Sequence, residues 1–159
     1  SYSTGNISGT QYIGGIVGEA DSGSSITNSY ATGDVSGSEK VGGIAGYTYG
    51  LTIENNAAIN PSVSASSSDV NKIVGYIYGS PTISNNFALE TMSITPNGSG
   101  NAGTTKTIVE LKTQSTYESV ISGDGLGGLG WKFGNDALNP WRIDANKNDG
   151  LPYLYWENR

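Results

Sequence analysis

Two short segments, GYTYG and GYIYG, each place two tyrosines one residue apart. The tyrosines are Tyr47 and Tyr49 in the first segment and Tyr76 and Tyr78 in the second. Alternate residues of a β-strand share a face, and neighbouring strands lie about 4.8 Å apart, so adjacent strands would stack all four rings on one side. A flat face of tyrosines can stack on sugar rings, or it can simply shield the strands beneath it. These residues are the first candidates for a ligand-binding surface.

The segment DANKNDG near the C-terminus suggests a second chemistry. Asp144, Asn146 and Asn148 have the spacing of the first three oxygen ligands in a calcium loop. The glycine that such a loop needs at its sixth position comes one residue late, because Asp149 precedes Gly150. Clusters of Asn, Asp and Gly also form turns held by their own side chains. Calcium is therefore a weak candidate, and no other cofactor is expected.

Residue types that dominate catalysis are missing from the chain. It has no cysteine and no histidine, which excludes thiolate nucleophiles and the commonest general base. The remaining carboxylates, such as Asp34, Glu39, Glu54 and Asp69, fall at unrelated positions and form no evident acid–base pair. The sequence predicts a protein that is not an enzyme.

The charge pattern limits the partners. The net charge is −6, and the eight Lys and Arg residues are scattered singly. Nucleic-acid binding needs a basic stripe that displaces counterions, so no nucleic-acid partner is expected. No apolar run approaches the roughly 20 residues of a membrane-spanning helix, so this segment is not expected to insert into a membrane.

An internal repeat organises the first part of the chain. SYSTGNISG at 1–9 returns as SYATGDVSG at 29–37, and a third copy begins at Asn56. A fourth copy opens at 86–94 and then decays, with a period of about 27 to 30 residues throughout. Each copy contains short strand-like runs broken by Gly, Asn and Ser, with no helical apolar period.

Aligning the copies brings apolar residues into columns. The columns are Ile13, Val41 and Val70; Ile16, Ile44 and Ile73; Ile26, Ile53 and Ile83; Tyr30, Ala57 and Phe87; and Ala31, Ala58 and Ala88. One copy cannot bury its apolar side alone, whereas stacked copies form a continuous core. The predicted fold is an all-β parallel solenoid of three to four coils over residues 1–94.

Glycines and asparagines also align. Gly18, Gly46 and Gly75 occupy one column in every copy, which indicates close backbone approach. The pairs Gly14-Gly15 and Gly42-Gly43 become Asn71-Lys72, so this position is expected to face solvent at a turn. A polar column contains Asn28, Asn55 and Asn85, next to Ser29, Asn56 and Asn86. These polar residues predict either a hydrogen-bonded ladder between coils or an asparagine-lined ligand groove.

The C-terminal third differs in composition from the repeats. Residues 95–159 are expected to form a linker and a capping segment that covers the open end of the solenoid. Apolar residues between 107 and 121 recur near the helical period, at Ile108, Leu111, Tyr117 and Ile121, and predict a short helix. All three tryptophans, Trp131, Trp141 and Trp156, fall in this region and predict an aromatic core for the cap.

The repeat resembles the GLUG-motif repeats of bacterial surface and secreted proteins. The residues that carry the resemblance are GDVSG at 33–37, VGGIAG at 41–46 and ITNSYA at 26–31, and it extends over about residues 1–94. The resemblance implies a non-catalytic extracellular module that acts in adhesion or as a rigid spacer. The expected partner is a host or cell-surface protein or a glycan. The alternative is a carbohydrate-binding module that uses the four tyrosines.

Overall fold

The computed structural model forms two compact units, Ser1–Lys106 and Thr107–Arg159. The residues that it describes are 1–67, 69–96, 103–118 and 128–158. The first unit contains the repeats and continues past residue 94. It does so because strand Thr104–Lys106 pairs in parallel with Phe87–Leu89 and so adds one more strand to the repeat unit.

The first unit is a parallel β-solenoid, as the repeats predict. Among the described residues, each complete coil adds one short strand to each of five parallel sheets, numbered here in the order in which the chain meets them. Sheet 1 contains Tyr2–Ser3, Tyr30–Ala31, Ala57–Ala58, Phe87–Leu89 and Thr104–Lys106. Sheet 2 contains Ile7–Ser8, Val35–Gly37, Ser62–Ala65 and Ser93–Thr95. Sheet 3 contains Gln11–Gly14, Glu39–Gly42 and Val70–Asn71. Sheet 4 contains Val17–Ala20, Ala45–Tyr49 and Val74–Tyr78. Sheet 5 contains Ser25–Thr27, Thr52–Glu54 and Thr82–Ser84.

The strand register confirms the predicted apolar columns. Ile53 pairs with Ile26 on one side and Ile83 on the other. At the column of Ile44, backbone hydrogen bonds of 3.0 Å link Ile16 N–H to the Ile44 carbonyl and Ile44 N–H to the Ile73 carbonyl. Ile44 and Ile53 are fully buried, and each such side chain stabilises the fold by about 1.5–3 kcal/mol. The core of the solenoid is therefore a stack of equivalent aliphatic residues.

The glycine column at Gly18, Gly46 and Gly75 is confirmed as a place of close backbone approach. A Cβ atom on Gly46 would lie 2.3 Å from the Ile13 nitrogen, and one on Gly75 would lie 2.4 Å from the Val41 nitrogen. No side chain fits at such distances unless the neighbouring coil moves. Glycine is therefore required where these strands of sheet 4 pack against the coil before them.

The expectation that Gly14-Gly15 and Gly42-Gly43 face solvent is wrong. All four glycines are buried, and a Cβ atom on Gly43 would lie 2.2 Å from the Lys72 carbonyl oxygen of the next coil. The third copy carries side chains here because its strand is the last of sheet 3 in the described part of the chain. The Lys72 ammonium donates instead to the Leu89 carbonyl, at 3.2 Å.

The second unit is built from short helices and a small hairpin around aromatic residues. Its elements are helices Ile108–Leu111 and Ser115–Glu118, antiparallel strands Trp141–Arg142 and Tyr153–Leu154, and 3₁₀ turns Asn148–Gly150 and Tyr155–Asn158. The first helix begins with a capping box between Thr107 and Glu110. The predicted short helix is thus two helices of one turn each, and Ile121 lies outside the described residues.

The aromatic core of the second unit contains two of the three tryptophans. The ring centroid of Trp131 lies 4.7 Å from that of Tyr117 and 4.4 Å from that of Trp141. All three side chains are buried. Trp156, by contrast, remains 48% exposed beside Tyr155. The prediction of a tryptophan core is therefore confirmed for Trp131 and Trp141 and is wrong for Trp156.

A candidate binding face of tyrosines

Sheet 4 brings the four candidate tyrosines together. Tyr47 pairs with Tyr76, and Tyr49 pairs with Tyr78, in the parallel register that the repeats predict. The rings of Tyr47 and Tyr76 are 6.0 Å apart and nearly parallel, at 4°. Those of Tyr49 and Tyr78 are 5.4 Å apart at 28°. The predicted stacking is confirmed, and we call these four residues the tyrosine face.

The tyrosine face lies on the outer side of the sheet because strand residues alternate. Thr48, between Tyr47 and Tyr49, is fully buried and occupies the inner side. Tyr49, Tyr76 and Tyr78 are 44%, 38% and 57% exposed, whereas Tyr47 is half-buried. The face therefore presents three accessible rings, held by a sheet whose other side is packed in the core.

Two further residues complete the face, and the sequence interpretation missed both. The Tyr12 ring lies 5.3 Å from that of Tyr47, and the Lys40 ammonium lies 4.6 Å from the Tyr12 centroid. The same ammonium is 5.5 Å from the centroids of Tyr47 and Tyr76. A signal was present, because YIGGIVG and KVGGIAG align Tyr12 with Lys40. Both residues have positive φ, 56° and 57°, so the local irregularity that they form within the strands of sheet 3 is not evident from residue type.

The Lys40 ammonium is held in its charged form. Desolvation alone would lower the pKa of Lys40, but the hydrogen bond to the Tyr12 hydroxyl and the charges of Glu39 and Asp69 raise it above its ordinary value. An ammonium above tyrosine rings is a cation–π arrangement. The pair Tyr47–Tyr76 therefore already has a cation, the Lys40 ammonium, over its rings.

A row of carboxylates borders the rings on the first coil of sheet 4. Glu19 pairs directly with Tyr47, and Ala20, the last residue of its strand, pairs with Thr48; Asp21 is the next residue along the chain. Both carboxylates are exposed. Desolvation, followed by the nearby charge of Glu19, raises the pKa of Tyr47. In the column of Tyr47 and Tyr76, the first coil thus has a carboxylate, Glu19, in place of a tyrosine.

The asparagine columns form ladders that satisfy the protein's own backbone. Asn56 is fully buried; its side-chain oxygen accepts from Ser29 N–H at 3.0 Å, and its amide donates to the Ile26 carbonyl at 2.8 Å. One coil further, the Asn86 side-chain oxygen accepts from Asn56 N–H at 3.0 Å. Because these amides bond within the protein, the arrangement favours the predicted ladder over a ligand groove.

The second asparagine column, Asn28, Asn55 and Asn85, is distinguished by its backbone conformation. Asn28, Asn55 and Asn85 have φ values of 50°, 60° and 48°, the left-handed conformation that asparagine tolerates better than most residues. The Asn85 amide donates to the Asn55 side-chain oxygen at 2.6 Å. This column therefore turns the chain between sheets 5 and 1.

The three calcium candidates lie in one turn but do not converge as free ligands. The Asp144 carboxylate accepts from Asn146 N–H at 2.9 Å, and the Asn148 amide donates to the Pro152 carbonyl at 2.8 Å. Asn148 and Asp149 are both left-handed, with φ of 46° and 54°. This geometry is that of a turn held by its own side chains. Calcium binding at Asp144, Asn146 and Asn148 stays a prediction.

The carboxylates named in the sequence lie at more than one place in the repeats, and two of them, Glu39 and Asp69, lie near Lys40. Glu39 lies in sheet 3 beside Gln11, and Glu54 lies in sheet 5, where it accepts from the Ser84 hydroxyl at 2.7 Å. Within the described residues, no three acidic side chains come together in a group that could hold a metal ion.

Together these observations define a parallel β-solenoid with an exposed ladder of tyrosines on one sheet. Residues 9–36 match the family model of the GLUG motif, which confirms the resemblance identified in the sequence. The matched segment is one complete coil, from the end of one sheet 2 strand to the corresponding strand of the next coil. Neither a curated protein nor a solved structure gives a significant match to the chain. In the described ranges, the helices are too short and too polar to cross a membrane.

Proposed function

We propose that this chain is a non-catalytic extracellular repeat module of a bacterial surface or secreted protein, and that it acts in adhesion through the tyrosine face. The observation that carries the proposal is the exposure of Tyr49, Tyr76 and Tyr78 on one rigid sheet. Exposed aromatic side chains grouped on a firm support are typical of binding surfaces, where they supply contact area at little entropic cost. The GLUG match supports the assignment to this kind of module.

The solenoid also suits the spacer role that such modules can have. Strands pair in register from coil to coil in all five sheets, so the backbone of each coil is tied to the next by parallel hydrogen bonds. A unit stabilised by contacts between neighbouring coils resists local bending better than a flexible linker does. Spacing and adhesion are compatible, since a stiff support presents the tyrosine face.

The second candidate is carbohydrate binding through the same face. The near-parallel rings of Tyr47 and Tyr76 favour it, because a flat aromatic surface can stack on a sugar ring while the hydroxyl groups form hydrogen bonds. The two candidates use one surface and differ in the ligand.

The test measures attachment of the purified chain to a glycan array and to a panel of host and bacterial cell-surface proteins. We expect a Y76A/Y78A variant to lose attachment and L138A, which alters an 85% exposed residue of the second unit, to retain it. Circular dichroism must show an unchanged β-fold for both variants. If Y76A/Y78A attaches as strongly as the wild type does, the tyrosine face is not the binding surface. Attachment to glycans alone would favour the carbohydrate-binding module.

A further inference from the structure

The tyrosine face contains two stacked pairs, Tyr47–Tyr76 and Tyr49–Tyr78, and they differ in whether a cation lies over the rings. Lys40 covers Tyr12, Tyr47 and Tyr76 with its ammonium. Among the described residues, no cation lies over the rings of Tyr49 and Tyr78. These two rings are also the most exposed of the four, at 44% and 57%. The stacked pair Tyr49–Tyr78 thus lies next to a pair that already has a cation over its rings, and is itself open to solvent.

Charge around the face points in the same direction. Glu19 pairs with Tyr47 on the first coil, Asp21 follows two residues later, and Glu39 and Asp69 interact with Lys40. Four carboxylates therefore accompany one ammonium, and the whole chain carries a net charge of −6. A face of this kind repels anionic ligands and attracts cationic ones. Rings bordered by carboxylates combine cation–π attraction with ion pairing.

We infer that the open site at Tyr49 and Tyr78, on a sheet whose first strand carries Glu19 and is followed by Asp21, binds arginine or lysine side chains of a basic protein partner. The inference rests on the proposed adhesive role of the tyrosine face and names the chemistry of its ligand. Arginine is the better fit of the two, because its planar guanidinium stacks on an aromatic ring while its N–H groups reach a carboxylate. Lys40, which reaches the rings of Tyr47 and Tyr76 from the neighbouring sheet 3, shows how such a cation is held.

The experiment measures the affinity of the full chain for a short fluorescent arginine peptide by anisotropy. A citrulline peptide of equal length serves as the matched probe, since citrulline keeps the planar shape and lacks the charge. The variants are Y78L, which removes the ring but keeps an apolar side chain, Y78F, which keeps the ring, and D21N. The control is D34N, which removes an equal charge at an exposed turn outside the face.

We expect the arginine peptide to bind and the citrulline peptide not to bind. Y78L should weaken binding roughly 2- to 30-fold, the range for one cation–π contact, and Y78F should restore it. D21N should weaken binding more than D34N does. Since Tyr78 and Asp21 are exposed, both variants should keep the wild-type melting profile.

Three results would overturn the inference. Equal affinity of wild type and Y78L for the arginine peptide would show that the attraction comes from net charge alone. Binding of free guanidinium as tightly as the peptide would replace the protein partner with a small cation. Binding of neutral glycans through Tyr78, without binding of the arginine peptide, would overturn the cationic ligand while leaving the tyrosine face as the contact surface. The proposed function itself fails in a different way, when Y76A/Y78A attaches to every partner as wild type does.

Discussion

Replacement of Asn56 by alanine tests the asparagine ladder at its centre. Asn56 is fully buried, and its side chain bonds to Ser29 N–H, to the Ile26 carbonyl and to the Asn86 side-chain oxygen. Alanine removes all three bonds. The Asn86 oxygen still accepts from the Asn56 backbone N–H, so the groups affected are Ser29 N–H, which loses its side-chain acceptor, and the Ile26 carbonyl, which loses one donor but stays in the parallel ladder of sheet 5.

The magnitude follows from the burial of those two groups. A buried polar group that loses its partner costs about 1–3 kcal/mol, and the lost hydrogen bond to the Ile26 carbonyl adds about 0.5–1.5 kcal/mol. Ser29 is buried, but Ile26 lies nearer the surface, where water can replace the lost amide. We therefore expect N56A to lower the free energy of unfolding by about 2–4 kcal/mol, a large fraction of the 5–15 kcal/mol typical of a domain.

Urea unfolding followed by hydrogen exchange on peptides from the solenoid is the suitable assay. All three tryptophans lie in the second unit, so tryptophan fluorescence reports on that unit and serves as an internal reference. N28G is the matched control, because Asn28 is exposed and its φ of 50° suits glycine. Surface changes of this kind stay within about 0.5 kcal/mol. If N56A loses no more stability than N28G, the ladder does not stabilise the solenoid as argued.

Three further predictions concern the turns and the second unit. Gly46→Ala should destabilise the solenoid by about 1–3 kcal/mol in the same urea assay, because its Cβ would lie 2.3 Å from a backbone nitrogen, whereas Gly5→Ala, with no atom within 4 Å of the new Cβ, should leave the midpoint unchanged or slightly raised. Removing calcium with a chelator should not change the melting temperature, since the turn from Asp144 to Asn148 is held by its own hydrogen bonds; a melting temperature that rises with added calcium would show that the site binds it. The pKa of Asp136 should be low when measured by NMR, because the Asn139 side chain and then the Asn139 and Leu138 backbone N–H groups donate to its carboxylate. Because the pKa of Asp136 is lower in the folded state, its carboxylate stabilises the protein at a pH above the unfolded-state pKa, and this contribution is lost as the pH falls through the folded-state pKa. D136N should therefore remove this acid dependence. An unshifted NMR titration of Asp136 would contradict the bonding pattern.

The architecture of the repeats could be predicted because stacking makes equivalent residues neighbours. Once the copies are aligned, SYSTGNISG with SYATGDVSG and GYTYG with GYIYG, the contacts of Ile44 and the pairing of Tyr47 with Tyr76 follow. The glycine pair at Gly42-Gly43 was predicted wrongly for a related reason. A comparison of copies treats every coil as equivalent, whereas Lys72 carries a side chain only because its strand ends the sheet in the described part of the chain.

Features that depend on local backbone conformation could not be predicted in the same way. Tyr12 and Lys40 adopt positive φ although neither is glycine or asparagine, so nothing in their residue type indicated that Lys40 would reach the rings of three tyrosines. The oxygen spacing from Asp144 to Asn148 matched a calcium loop, but spacing does not reveal whether side chains bond to each other. Both cases turn on side-chain partners, which a sequence pattern leaves open.

One property of the fold accounts for both the stability and the candidate function. In a parallel solenoid, equivalent residues of successive coils lie about 4.8 Å apart and form a column. The role of a column depends on whether it faces the core or the solvent. Buried asparagines such as Asn56 and Asn86 accept hydrogen bonds from backbone N–H groups of the preceding coil. Tyrosine on the outer side becomes a face of parallel rings. Because strand residues alternate, moving the tyrosines of sheet 4 by one position would exchange them with buried Thr48, bury the rings and abolish the face.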